Sequence, residues 1–163
     1  MARKVFFSFH YQRDIFRVNV VRNSWLTRGG QAQTFFDRSL WEQVQRRGDQ
    51  AIRNMILKGL HGTSVTVVLV GAETYGRKWV TFEIEESYRR GNGIIAVHIN
   101  GIKAPPLLLA DQKGKNPLSY WQPPASKGGQ NFSEVFASYD WVGDNGFANL
   151  PQWIEEAVRK AGK

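Results

Sequence analysis

A chain of 163 residues with 42% hydrophobic and 13% aromatic content has enough apolar material for one folded domain and too much to stay disordered. It has no cysteine, which excludes disulfides, thiolate catalysis and cysteine-ligated zinc, and its three histidines stand far apart, so no metal site is expected. The excess of 22 Lys and Arg over 14 Asp and Glu gives a charge of +8, which attracts polyanions and nucleotides, yet the basic residues are scattered and form no specific nucleic-acid-binding motif.

In chain order, residues 4–9 (KVFFSF) are aromatic and β-branched and predict a first strand, with Ser8 near its end. Ile15, Val18, Val21 and Trp25 follow at helical spacing, with Asp14 as the expected cap. Residues 33–36 (QTFF) predict a short second strand ending at Asp37, and the polar stretch 38–48 reads as a loop or a short amphipathic turn. Residues 49–60 predict a helix capped by Asp49, with Ile52, Met55, Ile56 and Leu60 on one face. It leads into an apolar run, 64–70 (SVTVVLV), that is too short for a core helix and reads as a buried strand.

The stretch 71–91 (GAETYGRKWVTFEIEESYRRG) is then a glycine-containing loop that opens a helix, and residues 94–99 (IIAVHI) make another buried strand. Two helix-to-strand steps in succession indicate a parallel sheet. Residues 101–140 are rich in Pro, Gly and Lys and read as a long loop-rich connection, with a short edge strand at 139–142. A C-terminal helix is expected over 150–161, starting at Pro151. The sum is a single α/β domain over 1–163, doubly wound and flavodoxin-like, with a mainly parallel five-stranded central sheet.

Such sheets bind ligands outside the carboxyl ends of their strands. The groups expected there are Ser8, Phe9 and His10 after the first strand, Asp37 after the second, Tyr75 in the third loop, and Trp79 with Glu83 on the helix beyond it. Trp79 and Glu83 are four apart and share a helix face. Glu85 and Glu86 have Arg89 and Arg90 as i,i+4 partners, whereas Glu83 has only Ser87. From spacing alone two readings of Glu83 stand: a carboxylate in a partly desolvated cleft, or a surface carboxylate favoured by the positive end of its helix. No dinucleotide fingerprint, phosphate-loop lysine motif or nucleophile elbow is present.

The opening Val5-Phe6-Phe7-Ser8-Phe9 strand, the helix and strand over 52–70, and Trp79-Val80-Thr81-Phe82-Glu83 together carry a resemblance. The chain resembles Toll/interleukin-1 receptor (TIR) domains over its best-matched core, 3–100, and is most similar to the bacterial TIR-like family that supplies the sensor subunit of Thoeris antiphage defence. Trp79 to Glu83 is similar to the family's W-x-x-x-E. The resemblance implies an enzyme that cleaves the nicotinamide-ribose bond of NAD, with NAD as substrate and no cofactor, and that makes a cyclic ADP-ribose-type messenger for a separate effector protein. It puts Glu83 at the catalytic position, with Ser8, Phe9, Asp37, Tyr75 and Trp79 as substrate contacts. It also implies self-association. The alternative it leaves open is a non-catalytic TIR-type interaction module. The chain has no apolar run of the roughly 20 residues that span a bilayer and too short an N-terminal apolar segment for a signal peptide, so a cytoplasmic location without a membrane partner is expected.

Overall fold

The computed structural model describes residues 3–33, 38–121 and 129–163. Five strands, β1 (Lys4–Ser8), β2 (Gln31–Ala32), β3 (Val65–Val70), β4 (Gly93–His98) and β5 (Ser138–Asp140), form one sheet in the order β2-β1-β3-β4-β5, with every neighbouring pair parallel. The helices are α1 (Tyr11–Leu26), α2 (Arg38–Arg46), α3 (Asp49–Leu60), α4 (Lys78–Arg89), α5 (Phe132–Val135) and α6 (Gly146–Lys160), with a 3-10 turn at Pro117–Tyr120. The expected α/β, flavodoxin-like fold is the one observed, and its sheet is wholly parallel.

Both sheet faces are covered, which is why β3 and β4 read as unbroken apolar runs without alternation. Val5, Phe7, Val67, Leu69, Ile95 and Val97 point to one face and pack against Val18, Val21 and Trp25 of α1 and Trp153, Ile154 and Val158 of α6. Val68, Val70, Ile94 and Ala96 point to the other and meet Val80 and Ile84 of α4, with Leu118 and Phe132 from the long connection closing that layer. Phe6 joins Trp41, Ile52, Ile56 and Leu60 in a third cluster under α2 and α3.

Several boundaries differ from expectation for physical reasons. The second strand lies at Gln31–Ala32, pairing with Lys4 and Val5, so Gln33 is past its end, and residues 34–36 of the expected strand lie outside those described. Asp14 does not cap α1. The helix begins at Tyr11 with His10 in the cap position, which leaves Asp14 inside the first turn and 1% exposed. Gly48 rather than Asp49 precedes α3, at φ 94°, a left-handed conformation suited to glycine. Residues from 38 onward form a helix, because Trp41 and Val44 lie on one side and pack on the α3 cluster. Finally, α6 starts at Gly146 and carries Pro151 inside it, where the proline removes one backbone donor near the helix start.

Candidate active site

The strand order reverses direction between β1 and β3, the place where open α/β sheets form a crevice. Ser8 ends β1 beside Val68 of β3 and is fully buried. Across the crevice, α4 presents Val80, Glu83, Ile84 and Ser87 inward. A hydroxyl relay fixes this helix: Ser87 Oγ donates to the Glu83 carbonyl at 2.6 Å, so Thr66 Oγ1 of β3, 2.6 Å away, is the donor to Ser87. Glu83 therefore sits on a backbone pinned to the central strand.

Glu83 is 8% exposed, which excludes the surface-carboxylate reading. Burial pushes its carboxyl up to about 8, against a smaller opposing pull from the neighbouring Ser8 hydroxyl. Its Oε2 and the Ser8 Oγ are both buried with no close hydrogen-bond partner among the described residues, apart from the weak pull of the Ser8 hydroxyl on the carboxyl. Under-satisfied buried polar atoms are uncommon and costly, and one at the end of β1 beside another on α4 marks a place suited to a polar guest. The carboxyl borders a cavity of 30 Å³ walled by Phe7, Phe9, Tyr11, Trp41 and Ile56. Phe9 leans on Tyr11 with centroids 4.4 Å apart, and Tyr11 stacks on Trp41 at 4.6 Å and 3°.

Phe9, Tyr11 and Trp41 also form one side of an outer groove of 260 Å³, whose other side is Arg77, Lys78 and Trp79 at the start of α4, with His10 at its edge. Lys78 pairs with Asp49, and its Nζ lies 4.8 Å from the Trp79 ring centre. Arg77 donates to the Glu73 carbonyl at 2.9 Å. Burial and the Arg77 charge hold His10 below its ordinary range, so it is neutral near pH 7. An apolar inner pocket ending on a carboxyl and a basic outer groove are thus joined by one aromatic wall.

Of the residues expected at the site, Ser8, Phe9 and Glu83 come together, and Trp79 lines the groove leading to them. Tyr75 is placed elsewhere. Its ring meets Tyr120 edge-on at 5.6 Å and its hydroxyl lies 3.3 Å from Lys115, on the long connection. Asp37 lies outside the described residues.

Tyr11, Gln33, Trp41, Arg77 and Lys78 were not anticipated. Tyr11 and Trp41 had a readable signal, one as an aromatic just after the first strand and the other as an aromatic inside the largely polar 38–48 stretch. Gln33 had none: its side-chain amide accepts from Phe7 N–H at 3.0 Å and donates to Phe7 C=O at 2.8 Å, taking the place of a strand backbone where β2 has ended. A second hollow of 260 Å³ opens between β4, β5 and α6 at the amino end of the sheet, but its charged lining groups, Glu156 and Lys160, are not buried. The chemistry-bearing group is at the carboxyl end.

The family model described as "Thoeris protein ThsB, TIR-like domain" matches residues 6–104, which include the β1 end, α4 and Glu83. A relative from Bacillus cereus (strain MSX-D12), named "Putative cyclic ADP-D-ribose synthase ThsB1", is 38% identical over 192 aligned positions that cover 94% of this chain and 100% of that protein.

Proposed function

The chain belongs to the TIR-like family of the Thoeris protein ThsB, and from that membership we propose that it is an antiphage signalling enzyme that cleaves the nicotinamide-ribose bond of NAD and forms a cyclic ADP-ribose-type messenger. The observation that carries this reading is the buried Glu83 carboxyl, set beside the buried Ser8 hydroxyl and under an aromatic wall, with no close hydrogen-bond partner for Oε2. The whole of 1–163 is read as one domain.

In this reading the nicotinamide-ribose bond is presented at the mouth of the inner pocket, whose 30 Å³ widens for the ribose to reach Glu83, and the diphosphate lies in the outer groove against Arg77 and Lys78. The C1′–N bond breaks heterolytically and its electron pair leaves with nicotinamide, a neutral pyridine, so no general acid is needed. Positive charge grows on the ribose, and a carboxylate held nearby in a dry pocket stabilises it, as in oxocarbenium-like glycosidase transition states. The cation of bound NAD favours the ionised form of Glu83, which burial alone disfavours. Ser8 contacts the ribose, Phe9 and Trp79 shape the pocket, and Asp37 remains a proposed polar contact. Tyr75, turned toward Tyr120, contacts substrate only if the long connection shifts.

Exclusion of water then favours attack at C1′ by a nucleophile of the substrate itself, which gives up its proton as the ring closes, over hydrolysis to linear ADP-ribose. The product serves a separate effector, and self-association brings the enzyme to its active state. Mass spectrometry of concentrated protein incubated with NAD tests the reading. Nicotinamide with a product of the mass of anhydrous ADP-ribose supports it, linear ADP-ribose alone contradicts the cyclase part, and intact NAD under assembling conditions favours the non-catalytic interaction module.

A further inference from the structure

Leu107, Leu108 and Leu109 are 74%, 61% and 60% exposed, three consecutive large apolar side chains at the tip of the turn that follows β4. Fraying does not account for them. The neck of the turn is closed by Ala104 N–H donating to Leu109 C=O at 3.1 Å and by the reverse bond at 3.3 Å. Arg17 of α1, itself 8% exposed, donates to the Ile102 carbonyl at 2.8 Å and the Leu109 carbonyl at 3.1 Å. Arg13 clasps Asp111 through two bonds of 2.9 and 3.0 Å. Leu108 is held at φ 53°, a left-handed conformation that leucine seldom enters. A pinned neck thus displays an apolar tip.

Lysines flank the turn in sequence. Lys103 enters it and Lys113 follows it, both exposed and without an ion pair among the described residues, whereas Lys115 Nζ lies 4.4 Å from the Tyr75 ring centre. The acidic group between them, Asp111, is taken up by Arg13. We propose that this tip is a membrane-surface anchor: the three leucines enter the interfacial layer of an anionic phospholipid bilayer while the lysines meet its headgroups.

Exposed apolar side chains flanked by unpaired lysines match a surface that is apolar below and negative above. The local charge argues against a second copy seated tip to tip, because two lysine-flanked tips repel. Area argues the same way. Three leucines offer on the order of a few hundred Å², short of the roughly 1,200 Å² that a stable protein pair buries. No helix of the described residues is long and apolar enough to cross a membrane, so the contact is interfacial, reversible and sensitive to salt.

Co-sedimentation of the full chain with phosphatidylglycerol vesicles, with phosphatidylcholine vesicles and without vesicles tests the proposal. Wild type should pellet with phosphatidylglycerol and about tenfold less with phosphatidylcholine, and a triple Leu107→Ser, Leu108→Ser, Leu109→Ser variant should bind phosphatidylglycerol about tenfold more weakly. Lys103→Glu with Lys113→Glu should weaken it likewise, all at the wild-type thermal midpoint. If the triple variant melts early, Leu108→Ser alone carries the comparison. Absence of wild-type binding, or binding that survives loss of the leucines, overturns the proposal. Vesicle-free pairing of wild type that the triple variant abolishes also overturns it and assigns the tip to a second copy.

Discussion

Burial of Glu83 sets the sign of two pH dependences at the scale of the single residue. Burial pushes its carboxyl up to about 8 in the free protein, and in the proposed chemistry the ionised form is the one that stabilises a ribose cation. kcat/KM for NAD should therefore rise as pH increases from 6 to about 8 and then level off, a profile measured by nicotinamide release. Stability should move the other way. Between the ordinary value of 4.5 and about 8 the folded state keeps a proton that the unfolded state has lost, so unfolding free energy falls as pH rises through that window. Glu83→Gln cannot ionise there, and at pH 9 it should be more stable than wild type by a few kcal/mol, about the penalty of ionising a buried carboxyl. Thermal denaturation at pH 5 and pH 9 checks this: an equal midpoint difference at both would contradict it. Asp14, buried in the first turn of α1 and pushed up to about 6, adds a smaller loss of the same sign between its ordinary 3.8 and 6.

The link from sequence to site is clearest, and also fails, at the scale of the element. Strands β3 and β4 were legible because a parallel sheet covered on both faces demands unbroken apolar runs, and Glu83 stood out because, unlike Glu85 and Glu86, it has no i,i+4 arginine. The second strand was not legible. It is two residues long, and the ladder to β1 is continued by the Gln33 side chain, an interaction that no periodicity encodes. Tyr11 and Trp41 were visible as isolated aromatics, but their stack joins residues from α1 and α2, which only the fold brings together. Because Gln33 holds both backbone groups of Phe7, next to Ser8, Gln33→Met should cost about 1 to 3 kcal/mol in stability by leaving those groups unpaired. It should also raise the amide exchange rate of Phe7. Unchanged exchange there would show that the amide does not hold the strand end.

For the whole molecule, the charge of +8 and the basic groove mouth give a further expectation. In the proposed binding mode a diphosphate-bearing substrate is drawn toward Arg77 and Lys78, which are exposed at the rim, so raising salt from 50 to 300 mM should raise KM for NAD more than it lowers kcat. Arg77→Gln and Lys78→Gln should each raise KM several-fold and flatten that salt dependence, as steady-state kinetics would reveal. A KM indifferent to both would remove the diphosphate from this groove. The measurement that bears most directly on the whole account is nicotinamide release from NAD by wild type and Glu83→Gln, at matched concentration and matched assembly state by light scattering. Loss of at least about a hundredfold in kcat with the fold and assembly intact is the predicted result. Equal turnover by the two proteins would contradict it and take the chemistry away from Glu83.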